Sequence, residues 1–435
     1  MRLFPLTIIL CLALTNPVFA LQAVFTGSSD NTHTTNTEYM SPFGGSGWHT
    51  AEVERRGLIP TSGYFGNLSV RLRTDVGAGN TSTFTLMVNG VATAATCTIE
   101  NGTGQTCSDD TNTVTVSVGD TFSLKVVPVS SPTSSNVWSA INFFADDESE
   151  NIIASNSDDE TSRSDGITEY MSLNGDALWG ATEADFTTMI STASTAKKLY
   201  IAYNLGPGLG AGETRAFTLM LNGSATSLTC TVSENESTCN DTTNTVSIAA
   251  GDLVSLRIVT VGDIGGNHVG WGIVFDVGTE GKFITTVLGA TNSATVTVYQ
   301  NITQGRSGWG TVAIDQRSGT TAVTMSTICA SLATAPGAGK SFVFQDASFG
   351  TATALVVTLS DSEIHDCYSE DITIGAKGAH HYISIPSNTP TASRAFVGMI
   401  GSFTPTPTGA QDRRSIFSSG TGTATFSTGT GTVLF

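Results

Sequence analysis

One stretch of the chain occurs twice, which limits it to folds built from a copied unit. The first copy reads Phe84-Thr85-Leu86-Met87-Val88-Asn89-Gly90, followed by Cys97, Cys107 and Gly119-Asp120. The second reads Phe217-Thr218-Leu219-Met220-Leu221-Asn222-Gly223, followed by Cys230, Cys239 and Gly251-Asp252. The interval from Phe to the first Cys is the same in both, as is that from the second Cys to Asp. The single difference in length falls between the cysteines. A duplicated folding unit with slack only at a hairpin tip has this signature.

The copying extends beyond that stretch. Thr37-Glu38-Tyr39-Met40-Ser41 returns as Thr168-Glu169-Tyr170-Met171-Ser172, and Trp48 returns as Trp179 at the same offset. Trp309 continues the series. Pro336-Gly337-Ala338-Gly339-Lys340-Ser341-Phe342 echoes the run from Gly208 to Phe217, and Cys367 falls near the place of Cys239. The Asn-Gly and Gly-Asp pairs are missing from this third copy. A divergent terminal repeat often caps an array.

Within each copy, apolar and polar residues alternate. Leu68, Val70 and Leu72 alternate with Ser69 and Arg71, and Val254, Leu256 and Ile258 with Ser255 and Arg257. Period two means one buried and one wet face, hence strands. Asn89-Gly90 and Asn222-Gly223 read as hairpin turns, because both residue types tolerate positive φ. Only residues 183–194 suggest a short helix. The expectation is an all-β chain of three tandem β-sandwich, jelly-roll-like units in a rod. Their bounds are residues 21–147, 148–280 and 281–403, with a Thr/Pro/Gly-rich, strand-like tail at 404–435.

Residues 1–20 read as a secretory signal peptide: Arg2, an apolar core, and Val18-Phe19-Ala20 before the cleavage site. The expected location is extracellular, secreted or on a cell-surface filament. A net charge of −18 argues against nucleic acid and anionic lipid as partners. No later run is apolar and long enough to insert in a membrane. With Cys11 removed alongside the signal, an even number of cysteines remains, which in an exported chain reads as disulfides. Local spacing favours Cys97–Cys107 and Cys230–Cys239, each stapling a hairpin, and elimination leaves Cys329–Cys367.

Asn67, Asn80, Asn101, Asn222, Asn235, Asn240 and Asn301 open Asn-x-Ser/Thr sequons. In so Ser- and Thr-rich a chain the number is no surplus. Position says more: Asn101 and Asn235 lie between the paired cysteines. Covalent glycans are therefore expected, and no cofactor is. Asp146-Asp147-Glu148 and Asp158, Asp159, Glu160 and Asp165 could collect calcium, but without EF-hand spacing they read as solvated linkers. Gly337-Ala338-Gly339-Lys340-Ser341 lacks the first glycine of a phosphate loop, and His380-His381 would point to opposite strand faces. No catalytic constellation stands out, so the chain does not read as an enzyme. The recurring tryptophans fit packing better than a sugar platform.

Two terminal segments could complete a neighbour's sheet: Leu21, Val24 and Phe25 at the N-terminus, and Val433, Leu434 and Phe435 after the Pro-rich spacer. Otherwise each folds back on its own unit.

The motif order resembles secreted, fibre-forming tandem β-sandwich repeat proteins. It runs Tyr-Met-Ser, Gly-Ala-Gly, Phe-Thr-Leu-x-x-Asn-Gly, a cysteine pair, Cys-x-Asp-x-Thr-Asn-Thr-Val and Gly-Asp-x-x-Ser-Leu. It is also similar to the subunits of glycan-coated extracellular fibrils found in environmental water. The resemblance implies polymerisation and a sugar coat. The expected function is a structural filament subunit that joins copies of itself head to tail by β-strand donation. The alternative is a secreted or surface adhesin, a glycan-binding monomeric rod.

Overall fold

Period-two alternation becomes strand throughout the computed structural model. It describes residues 23–41, 47–101, 104–157, 166–175, 179–203, 209–262, 268–278, 282–286, 290–300, 318–319, 323–348, 351–374 and 379–402. The chain divides after Pro405. Leu21, Asn301, Trp309, Val433, Leu434 and Phe435, the signal segment and Asp158 to Asp165 lie outside the described residues.

The first sandwich contains β1 (Ala23–Asn31), β2 (Glu38–Met40), β3 (Gly57–Leu58), β4 (Gly63–Leu72), β5 (Thr81–Val88), β6 (Val91–Glu100), β7 (Thr106–Asp109), β8 (Val114–Val116), β9 (Thr121–Val129) and β10 (Asn136–Ala145). The second contains β11 (Glu150–Asn156), β12 (Thr168–Met171), β13 (Thr188–Met189), β14 (Ser194–Tyr203), β15 (Thr214–Leu221), β16 (Ser224–Val232), β17 (Thr238–Ile248), β18 (Leu253–Val261) and β19 (Val269–Asp276). The third contains β20 (Lys282–Thr286), β21 (Ala290–Thr291), β22 (Val298–Gln300), β23 (Ser318–Gly319), β24 (Val323–Leu332), β25 (Gly337–Ser348), β26 (Thr351–Asp361), β27 (His365–Ile374), β28 (Ala379–Ser387) and β29 (Arg394–Ser402).

One strand order serves all three. The inner sheets run β1-β10-β4-β7, β11-β19-β14-β17 and β20-β29-β24-β27. The outer sheets run β2-β9-β5-β6, β12-β18-β15-β16 and β22-β28-β25-β26. Taking the eight principal strands in chain order, this is first–eighth–third–sixth over second–seventh–fourth–fifth, the double Greek key of a jelly roll. A short extra strand, β3, β13 or β23, pairs with the seventh strand each time. Alternate residues fill the space between the sheets. Phe65, Leu68, Val70 and Leu72 of β4 meet Phe84 and Leu86 of β5 and Phe122 and Leu124 of β9. Each such side chain stabilises by about 1.5–3 kcal/mol on burial.

The sandwiches are not strung in series. β3 of the first lies against β11, β14 and β19, the inner sheet of the second. β13 of the second lies against β29 of the third, and β23 of the third against β1, β4 and β10 of the first. The same heterologous contact is used three times and closes. The first strands β1, β11 and β20 also touch one another pairwise. A rod would keep the first and third units apart, so that expectation does not hold for the described residues.

Two further expectations are corrected. Residues 183–194 give only a 3-10 turn, Glu183–Asp185, and then turn into strand. Val24 and Phe25 sit in β1, paired with Asn142 and Ile141 of β10 in their own sandwich. β1 is also enclosed by β11 and β20, so it occupies its own unit rather than waiting for another.

Candidate assembly surfaces

The contact between sandwiches depends on a small residue in the inner sheet. Matching the sheet registers aligns Ala140, Gly272 and Gly398. A Cβ on Gly272 would stand 2.3 Å from the Leu58 carbonyl oxygen and 2.8 Å from Pro60 Cδ. The approach of β3 therefore requires glycine there. Between the second and third sandwiches, Met189 and Leu253 pack against Phe396 and Cys329. Between the third and first, Ala140, Phe144 and Tyr64 join the third core.

The first of these contacts also carries buried charge. Glu150, 1% exposed, accepts from Lys198 Nζ at 2.6 and 2.9 Å and from Thr61 Oγ1 at 2.6 Å. Lys197 Nζ lies 3.0 Å from Glu150 and 2.8 Å from Asp276. Burial acts to lower the Lys197 pKa, but bonds to Asp276 and Glu150 outweigh it and hold the ammonium above its usual range. Burial raises Asp276, and its Lys197 and Gly278 bonds more than reverse that. The acidic run expected to be a solvated linker thus ends in a carboxylate locked under a neighbouring sandwich. An adjacent Lys197-Lys198 pair in a chain with so few cations was the available signal. Nearby, Glu54 lies 2.7 Å from His49 and 3.7 Å from His268, and its carbonyl accepts from Asn156 Nδ2.

The other long edges belong to the fifth and sixth strands, and here the copies differ. Cys97 on β6 and Cys107 on β7 are disulfide-bonded, as are Cys230 on β16 and Cys239 on β17. These strands lie in opposite sheets, so the bonds tie the two sheets together rather than staple a hairpin. Beside each sits a clasp. Asp109 accepts from the backbone amides of Thr96 on β6, Thr111 and Asn112, and from the Thr111 and Asn112 side chains. Asp241 does the same with Thr229 on β16, Thr243 and Asn244. Burial pushes the Asp241 carboxyl up, but the Asn244, Thr229 and Thr243 bonds prevail and hold its pKa at about 2. Asp109 is lowered for the same reasons. These clasps are what the Asp-x-Thr-Asn part of the motif is for.

In the third sandwich Cys329 and Cys367 are bonded and directly opposed on β24 and β27, within one sheet. Equivalent backbone bonds, Leu72 to Gln105, Tyr203 to Ser237 and Leu332 to Ile364, set the alignment. Two residues on lie Cys107, Cys239 and Asp366, so Cys367 is one residue late and faces the other side of the sheet. Its partner Cys329 is buried outside the core of its own sandwich, with its Sγ 3.5 Å from the Ser191 carbonyl oxygen of the second sandwich. Matching the same registers puts Tyr368, opposite Ile328, where Asp109 and Asp241 stand opposite Leu68 and Leu199.

A second clasp explains the Asn-Gly and Gly-Asp pairs. Asn89, at φ 51°, donates from Nδ2 to Asp120 Oδ1 at 2.7 Å and accepts from the Thr121 amide. Asn222, at φ 50°, repeats this with Asp252 and Leu253. Asn89 does the same work without being in a sequon, so Asn222 is accounted for by its turn. Among the other sequon asparagines, Asn101, Asn235 and Asn240 are exposed. Asn67, at a bulge with φ 56°, and Asn80, donating to the Val76 carbonyl, are half-buried.

Trp48 and Trp179 pack 6.4 and 6.2 Å from Phe84 and Phe217. The glycine-rich start of β25 at Gly337 already has an acid in place: the Gly339 amide donates to Asp361. Among the described residues no three His, Cys, Asp or Glu side chains gather as metal ligands.

The strand order defines a set of all-β jelly-roll sandwiches. No family model and no curated protein matches the chain. Among solved structures, the chain aligns with that of infectious bursal disease virus Gx strain at 10% identity and a TM-score of 0.20, covering 88% of this chain and 79% of that one. The VP2 subviral particle of the same virus aligns at 9% identity and 0.19, covering 90% and 83%. Scores this low carry no functional argument.

Proposed function

We propose that the chain is a structural subunit of an extracellular filament, joined to its neighbours by a strand from its C-terminal tail. The observation that carries this reading is the closed set of sandwiches with a long segment beyond it. Every inner sheet is covered by the next sandwich, and the first strands are enclosed. A body that satisfies its own core contacts can link to copies only through remaining edges, and strand addition is the backbone chemistry an edge offers. That β1 is enclosed supports the C-terminal segment over the N-terminal one as donor. Glycans are placed by this reading on Asn101, Asn235 and Asn240, where the side chains reach solvent. The three disulfides support export in this reading, and no catalytic role is proposed.

Negative-stain microscopy of the purified secreted protein tests it. Regular fibres from the full chain and dispersed particles from a chain ending at Thr408 are expected. Fibres that form unchanged without the tail would remove the tail from the mechanism. Dispersed particles from the full chain at high concentration would remove the filament.

A further inference from the structure

Resting on that reading, we infer that the acceptor edge is β27 of the third sandwich, and that its occupant is the C-terminal segment of a second copy. The described edges can be sorted. β1, β11 and β20 meet one another. β2, β12 and β22 have three or four residues, too short to template a strand. The fifth- and sixth-strand edges remain. In the first and second sandwiches these are closed twice, by an inter-sheet disulfide and by a carboxylate on the sixth strand that takes a fifth-strand amide.

The third sandwich has neither closure. Buried Val357, opposite Phe344, occupies the place that Cys230 holds opposite Phe217. Tyr368 replaces the clasping aspartate and is 42% exposed, its hydroxyl bonded sideways to Glu370 along the same strand. Among the described residues no β27 side chain takes a β26 backbone amide. Residues 365–371 are all exposed, and Ile364, just before them, is 51% exposed. At its start His365 lies against the Gly251 turn of the second sandwich, which leaves the rest of the strand open. An edge strand open beyond its first residue, with exposed Tyr368 on it and exposed Ile364 just before it, is what other copies of the fold have tied shut.

The occupant follows from the chain beyond residue 402. Its last stretch, Thr421-Gly422-Thr423-Ala424-Thr425-Phe426, alternates Thr with Gly, Ala and Phe, and the chain ends Val433-Leu434-Phe435. From residue 409 onward the only charged residues are Asp412, Arg413 and Arg414. The uncharged segment can pair with the edge while the two arginines meet Asp366, Glu370 and Asp371 of β27. At about 3.3 Å per extended residue the spacer is long enough to reach another molecule.

The test uses the full chain with Phe426 replaced by the photo-reactive p-benzoylphenylalanine, assembled from equal light and heavy isotope pools. Light-to-heavy cross-links on residues 364–371 are the expected result. Light-to-heavy cross-links on another edge, β6, β16 or β17, overturn the assignment to β27 and leave strand donation standing. Cross-links only within one isotope pool overturn donation itself. A charge exchange gives a second measure. Arg413→Glu with Arg414→Glu should raise the concentration needed for assembly about tenfold, and adding Glu370→Arg with Asp371→Arg should restore it. No change from the tail substitutions, or no recovery from the exchange, argues against β27.

Discussion

The sixth-strand edge of the second sandwich and that of the third follow one path through the same fold, yet only one is fastened. At β17 a disulfide crosses to the opposite sheet and Asp241 gathers five hydrogen bonds. At β27 the disulfide has moved to the outside of the sheet and a tyrosine stands where the aspartate was. A displacement of one residue was enough for the first change, because neighbours on a strand face opposite ways. Fastening is thus separable from fold: the third sandwich keeps its sheet order without it.

The largest effect should come from the clasp. Asp241→Ala should cost about 2–4 kcal/mol in urea unfolding, because several part-buried hydrogen bonds lose their one buried acceptor. Tyr368→Ala, at the matching place, should stay within about 0.5–1 kcal/mol. Equal losses at both would erase the distinction between the edges.

Replacing Cys230 and Cys239 by alanine should cost about 2–3 kcal/mol and raise hydrogen exchange along β16 and β17. Replacing Cys329 and Cys367 should instead raise exchange where β29 meets β13, since that bond lies outside its core. Faster exchange inside the third core would contradict this placement.

Acid should sharpen the contrast. The Asp241 pKa is lowered from 3.8 to about 2 by its bonds in the fold. Its stabilisation is fully present above the unfolded value and is lost as pH falls through the folded one. Between about pH 4 and pH 2 the first two sandwiches should therefore loosen more than the third, as read by exchange at β6 and β16 against β26. Uniform loosening would show that other carboxylates dominate.

The smallest effect concerns Asn222. Its amide is committed to Asp252 and Leu253, so glycopeptide mass spectrometry should find it bare while Asn235 and Asn240 carry sugar. Asn222→Ala should cost about 1 kcal/mol through the lost turn clasp. A glycan at full occupancy there would refute the clasp reading.

The alternation of Leu68, Val70 and Leu72 and the two Asn-Gly turns were enough to give strands, hairpins and an all-β class, because these are local demands of a pleated chain. The cysteine partners were also legible, two pairs from spacing and Cys329–Cys367 by elimination. What spacing could not show is that Cys97 and Cys107 belong to opposite sheets, or that Cys367 points outward. Those depend on which strands meet, a choice made by pairing over long separations.

The amino-acid order by itself therefore determined the repeat, the strands and the turn chemistry, since each follows from neighbouring residues. Only the tertiary structure decided that the three units close on one another, that Glu150 is buried beneath Thr61, and that β1 is enclosed. The physical reason is that a flat apolar sheet face can be covered by many partners of similar hydrophobicity. The particular partner is selected by shape, at places such as Gly272, where a single added carbon would meet the Leu58 carbonyl oxygen.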